Sequence, residues 1–152
     1  MNDKHKILAI DPATICGWAI STNIYGTWNL KTHKDETWGM KLLRMESKLK
    51  EIHNIYSMNI IVYERPGGRN TVAIITQSKI IGVIEKFCQE RNIEYKGYSS
   101  KEIKKYATGN GNANKELMIE YAFKKLGYEG YDNNEADALW LLMLSKHDLN
   151  IN

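Results

Sequence analysis

The order of apolar patterns along the chain predicts an α/β domain built on a mixed five-stranded sheet with helices on both faces. Three observations carry this reading. Two apolar runs, Lys6-Ile7-Leu8-Ala9-Ile10-Asp11 and Met58-Asn59-Ile60-Ile61-Val62-Tyr63-Glu64, each end on an acid, as buried strands do where they leave a sheet. Three strand-like segments follow one another closely at the start of the chain, which suits an antiparallel meander. Helix-period segments then alternate with strands, which places helices against both faces.

Each element has its own warrant. After the first run, Pro12-Ala13-Thr14 is turn-like, and Cys16 to Ser21 and Ile24 to Leu30 resume strand patterns. Trp38, Leu42, Met45, Leu49, Ile52 and Tyr56 recur every three or four residues, the period of an amphipathic helix. Pro66-Gly67-Gly68 breaks the chain after Glu64. A helix from about Thr71 to Gln89 follows, with Ile74, Ser78, Ile81, Ile84 and Cys88 on one face. Ile75 and Ile80 lie off that stripe and suit either a dimer surface or a thicker core. Ile93 to Tyr98 alternates as a strand. Ser99 and Glu102 form a capping-box pattern for a short helix reaching about Tyr106. Two further helices are expected over Asn114 to Leu126 and Asn134 to Ser145.

At 152 residues, 43% hydrophobic and 26% charged, the chain has the length of one domain, taken as 1–152, with a substantial core. No stretch approaches the roughly 18 apolar residues of a membrane span. Met1-Asn2-Asp3-Lys4-His5 runs directly into a strand pattern, which speaks against a signal peptide. Cys16 and Cys88, without CxxC spacing, fit a reducing compartment and exclude a zinc–cysteine cluster. The net charge of +3 hides an asymmetry. Arg91 to Lys125 holds eight basic and four acidic residues, whereas Leu126 onward holds five acids and one base. A basic surface beside an acidic locus is one reading; two solvated helix faces is the other.

Asp11 and Glu64 are the first candidates for chemistry. If their strands are parallel neighbours, both carboxylates converge at one sheet edge, where a divalent cation is a natural compensating partner. The alternative for either alone is a turn cap or a lysine pair. Asp137 lies one turn inside an apolar helix, at a core boundary. Asp132 and Glu135 compete for a fourth carboxylate. Asp132 is favoured because a helical Glu135 points roughly 200° away from Asp137, with helix capping as the alternative role for Asp132. Gly109-Asn110-Gly111 lacks a phosphate-loop pattern and reads as an ordinary loop. The histidines lack metal-site spacing, and Trp18, Trp28, Trp38 and Trp140 suit core positions.

Four segments together resemble a known family. Ile7 to Ala19, with Asp11-Pro12-Ala13-Thr14 and Gly17-Trp18-Ala19, is similar to the first motif of RuvC-type Holliday-junction resolvases of bacteria and phages. Ile61-Val62-Tyr63-Glu64 resembles the second. Lys104 to Lys115 resembles their K-x4-G-x-G-x3-K segment, and Glu135-Ala136-Asp137-Ala138-Leu139 their closing helix. The resemblance implies an RNase H-like fold, a homodimer acting on branched DNA in a bacterial or phage-infected cytoplasm, and Mg²⁺-dependent nicking, with Mn²⁺ able to substitute. It implies Asp11, Glu64, Asp137 and Asp132 as metal-binding, catalytic carboxylates and Lys115 as a catalytic lysine. Lys104, Lys105, Lys115, Arg65 and Arg69 become DNA contacts. Mg²⁺ prefers oxygen ligands, and paired ions about 3.5–4 Å apart can activate water and stabilise a leaving oxygen. Two departures from the bacterial pattern stand out. Asn134 replaces an acid three residues before Asp137, which suggests a phage-like variant using Asp132. Arg65 to Arg69 lacks an aromatic, so its arginines grip phosphates instead. A non-catalytic branched-DNA-binding module and a nuclease of RNA or hybrid substrates are the rivals. An actin-like ATPase needs two domains around its nucleotide, more than 152 residues supply.

Overall fold

The computed structural model describes residues 5–152; the expectation about Met1-Asn2-Asp3-Lys4 lies outside the described residues. Five strands form one sheet: β1 (Ile7–Asp11), β2 (Ile15–Ser21), β3 (Ile24–Asn29), β4 (Ile60–Glu64) and β5 (Glu94–Tyr98). Their order is β3-β2-β1-β4-β5. The meander β1-β2-β3 is antiparallel, while β4 joins β1 and β5 joins β4 in parallel. The helices are α1 (Gly39–Tyr56), α2 (Thr71–Arg91), α3 (Ser100–Thr108), α4 (Lys115–Leu126) and α5 (Asn133–Asp148).

The alternation of β1 and β4 divides the core in two. Ile7, Ala9, Ile60 and Val62 face α3, α4 and α5, whereas Leu8, Ile10, Ile61 and Tyr63 face α1 and α2. This is why both strands read as continuous apolar runs: each is covered on both sides. Asp11 and Glu64 continue the parity of Ala9 and Val62, so both belong to the α5 face. The helix ends follow local chemistry. Ser99 accepts from the Glu102 N–H while Glu102 reaches back to the Ser99 N–H, the capping box expected. Asn70 and Asn114 cap α2 and α4 through their side-chain oxygens.

Three expectations change. On α2, Ser78 is exposed, while Ile80 and Phe87 join Ile81, Ile84 and Cys88 in the core. The helix packs against α1 as well as the sheet, which turns its buried arc toward Ile80; Ile75 stays 48% exposed. Of the four tryptophans, Trp28 and Trp140 are buried, but Trp18 and Trp38 are only partly so. Trp38 precedes α1 at the surface and carries two lysine ammoniums over its ring. Finally, α5 continues past Ser145 to Asp148, whose carboxylate accepts from Lys96 Nζ at 2.6 Å and the Tyr98 hydroxyl at 2.7 Å, both on β5.

α5 lies unusually close to the sheet. A Cβ built on Gly17 would sit 2.0 Å from the backbone oxygen of Asn134, so the first turn of α5 rests directly on β2. Ala9, Ala19, Ala136 and Ala138, all fully buried, keep the rest of that contact thin. Gly17→Ala should therefore push α5 away and cost about 1–3 kcal/mol or more. A thermal-unfolding midpoint lowered by roughly 2–12 °C is expected, and an unchanged midpoint would contradict this account.

Candidate active site

The register of the sheet builds the site. Ile10 pairs with Tyr63 in the parallel β1–β4 ladder, so Asp11 and Glu64 leave adjacent strands at the same level. Asp11 pairs with Gly17 on the other side, and Gly17 is where α5 touches the sheet. Asp137, one turn into α5, is thereby carried over the same sheet end. Asp11 is buried at 8% exposure; Glu64, Asp132 and Asp137 are partly buried.

Electrostatics show which groups face one another. Burial raises the Asp11 carboxyl well above the usual carboxylate range, and the charges of Glu64, Asp137 and Asp132 raise it further against the opposing pull of Lys115. Burial also raises Glu64, opposed by Lys104. Asp137 is pushed up to about 7, first by burial and then by Glu64; Lys104 and Lys115 oppose, and Asp132 adds a smaller push. Four carboxyl groups from β1, β4 and the start of α5 thus share one field with two lysines, one from α3 and one heading α4. On the opposite face of the sheet, among Leu8 and Ile10, burial and then the Asp11 charge push the Cys16 thiol up. Both cysteines are free.

The two candidates for the fourth carboxylate separate here. Glu135 Oε1 accepts from the Tyr128 hydroxyl at 2.8 Å, turned back toward a tyrosine that is itself buried. Asp132 caps α5, its Oδ1 accepting from Asn134 N at 2.8 Å and Glu135 N at 3.4 Å. The Asp132 N–H donates to the Tyr128 hydroxyl at 3.0 Å. Capping and proximity to Asp11 and Asp137 therefore coexist in Asp132. Tyr128, which no sequence pattern marks, holds this corner, and Gly130 lets the ring in, since a Cβ there would meet the Tyr128 hydroxyl at 2.4 Å.

The basic residues sort by position. Lys104 and Lys115 act on the carboxyls, whereas Lys105 is exposed on the outer side of α3 and acts on none of them. Arg65 pairs with Glu102 at 3.1 Å, and Arg69 is exposed in the loop before α2. Among the described residues, no three histidine, cysteine or acidic side chains are closed to metal-holding geometry. The charges of Glu64, Asp137 and Asp132 act unfavourably on Asp11. Their oxygen-only donor set, buried and mutually unfavourable, nonetheless fits a hard divalent cation, which would relieve the repulsion that raises Asp11.

The family model described as "Crossover junction endodeoxyribonuclease RuvC" matches residues 7–142. The chain is 30% identical to the crossover junction endodeoxyribonuclease RuvC of Ehrlichia canis, covering 90% of this chain and 94% of that protein. It is 29% identical to that of Brachyspira hyodysenteriae, over 87% and 88% of the two chains. Among solved structures it resembles T. thermophilus RuvC in complex with Holliday junction substrate, with a TM-score of 0.72 at 19% identity and 92% coverage of both chains. The yeast mitochondrial Holliday junction resolvase Ydc2 is more distant, with a TM-score of 0.53 at 12% identity, over 96% of this chain and 84% of that one.

The raised carboxyls give a stability signature with a definite sign. Asp137 binds its proton more tightly folded than unfolded, so its favourable contribution is complete below about pH 4 and is lost as pH rises through about 7. In EDTA at pH 8, Asp137→Asn should raise stability on the order of 1 kcal/mol, or about 2–4 °C at this size. The gain should shrink toward pH 5, and added Mg²⁺ should stabilise the wild type but not the variant. A destabilised Asp137→Asn at pH 8 would count against a repelling cluster.

Proposed function

The chain belongs to the RuvC family of crossover junction endodeoxyribonucleases, and from that premise we propose that it is a Mg²⁺-dependent enzyme that nicks four-way DNA junctions as a homodimer. The observation that supports this reading best is the shared field of Asp11, Glu64 and Asp137, opposed by Lys104 and Lys115. In this reading Asp11, Glu64, Asp137 and Asp132 hold the metal, which when bound supplies a polarised water and charge stabilisation at the phosphate. The protein does the rest. β1 and β4 hold the backbones of two carboxylate-bearing residues on adjacent strands. α5 adds Asp137 and Asp132 as one rigid unit. Lys104 and Lys115, on the approach to the carboxyls, place positive charge where phosphate oxygens enter. Arg65 and Arg69 lie on the loop after Glu64 and meet the backbone further along, Arg65 after exchanging Glu102 for a phosphate.

A homodimer places two such sites under one two-fold axis, which suits paired nicks across a junction. No described helix is long and apolar enough to cross a membrane, and with bacterial relatives we place the protein in the cytoplasm of a bacterial or phage-infected cell.

Purified protein with Mg²⁺ or Mn²⁺ should nick a synthetic four-way junction in preference to linear duplex, hybrid or flap substrates. Asp11→Asn and Glu64→Gln should each lower nicking at least about 100-fold while junction binding in a mobility-shift assay survives. Full activity in either variant would sink the assignment, and binding without cleavage in either metal would leave a non-catalytic binding module. Calorimetric titration with Mn²⁺ separates the two acids at the start of α5: Asp132→Asn should weaken binding about 10-fold or more, as loss of a ligand does, and Glu135→Gln should leave it nearly unchanged. Equal losses would argue against the choice of Asp132.

A further inference from the structure

Among the described residues, the buried charged side chains are Asp11 and Lys41. The first belongs to the carboxylate cluster, and the second has no part in it. Lys41 lies in the first turn of α1 at 8% exposure. Its Nζ donates to Thr14 Oγ1 at 3.0 Å and stands 4.7 Å from the Trp38 ring centre. Lys79, from α2, brings a second ammonium to 4.3 Å from the same ring. Neither lysine has a carboxylate within salt-bridge distance among the described residues. An indole face and a hydroxyl solvate these cations without neutralising them. Two like charges held together in this way suit an anion able to accept from both.

The location narrows the anion. Thr14 lies three residues beyond Asp11, on the turn between β1 and β2. With Ala13, Asn70, Thr76 and Gln77 it lines a cleft of about 290 Å³ between that turn and the first turns of α2. Lys41 comes from α1 and Lys79 from α2, whereas Asp137 and Lys115 come from α5 and α4 on the other face of the sheet, so the Lys41–Lys79 pair stands apart from the carboxyls although one short turn joins them. A strand threading the carboxylate cluster would bring a neighbouring phosphate within reach of this turn.

We propose that Lys41 and Lys79, ordered by Trp38 and joined by the Thr14 hydroxyl, grip a backbone phosphodiester of the strand being cut, displaced along it from the scissile phosphate. Buried Lys41 is the fixed contact and exposed Lys79 closes over it. Because the contact is to backbone, it sets the strand's position without reading sequence. This inference rests on the endonuclease reading above.

The test is junction binding by fluorescence anisotropy in EDTA as a function of KCl. Each lost phosphate contact should flatten the log Kd against log[salt] slope by about 0.9. Lys79→Gln and Lys41→Met should each do so, weakening binding several-fold on junctions of unrelated sequence. Thr14→Val should weaken binding without changing the slope. Lys79 is exposed, so Lys79→Gln keeps the test valid if Lys41→Met folds poorly. An unchanged slope and affinity in Lys79→Gln, with the wild type binding normally, overturns the proposal and leaves the endonuclease reading intact. So does a folded Lys41→Met protein whose slope and affinity match the wild type. If inorganic phosphate protects the wild type but not Lys79→Gln against heating while the DNA slope stays fixed, the site takes free phosphate and the strand contact is wrong. A wild type that binds no branched DNA removes both readings.

Discussion

Asp11, Glu64, Asp137 and Asp132 repel one another, and the packing around them has to supply the free energy that keeps them together. Taking carboxylates from water is costly even singly, and here burial and mutual charge act in the same direction on Asp11. The fold answers with rigid carriers. Asp11 ends a strand buried on both faces, Glu64 ends its parallel neighbour, and Asp137 projects from a helix whose Ala136, Ala138, Leu139 and Leu142 are all fully buried. Each carboxyl would have to drag apolar surface into water to escape the others. The close approach of α5 to the sheet at Gly17 lies next to Asp11, where that opposition is strongest.

The topology makes the arrangement possible. β1 sits at the centre of the order β3-β2-β1-β4-β5, with an antiparallel partner on one side and a parallel one on the other. The parallel partner brings Glu64 out at the same end as Asp11. The antiparallel partner turns straight back, so Thr14 and Gly17 stay near that end, one toward α1 and the other toward α5. Ligands of open α/β sheets collect at the carboxyl ends of parallel strands where the connections diverge, and here the divergence separates the carboxylate cluster from the Lys41–Lys79 pair by a single turn.

Much of this was legible in the chain because strand parity and helix period are local properties. Two apolar runs ending on acids located Asp11 and Glu64, and one acid inside an apolar helix located Asp137. The Ser99–Glu102 cap was equally visible. What escaped depends on contacts between distant segments. Lys41 lies one turn before Met45 on the buried face of α1, but a lysine reads as solvated there until Thr14 and Trp38 are seen against it. Tyr128 looks like any core aromatic until its hydroxyl meets Glu135. Ser78 and Ile80 exchanged places because α2 faces α1 and the sheet together, a wider arc than one stripe describes. Arg65 read as a free phosphate contact, and Glu102, which pairs with it, lies 37 residues away.

α5 also behaves as a lever. Its 16 residues span roughly 24 Å at 1.5 Å per residue. Its far end is pinned to β5 through Asp148, Lys96 and Tyr98, and its near end carries Asp132 and Asp137. A tilt of about 5° at the pinned end would move the near end by ~2 Å over that length, ten times the ~0.2 Å that metal–ligand distances tolerate. Strand β5 is an edge of the sheet, and its Tyr98 is paired with Glu64 on β4. Mechanical disturbance of that edge, by a binding partner or a fused tag, would register first as lost metal affinity, while the sheet itself remained folded.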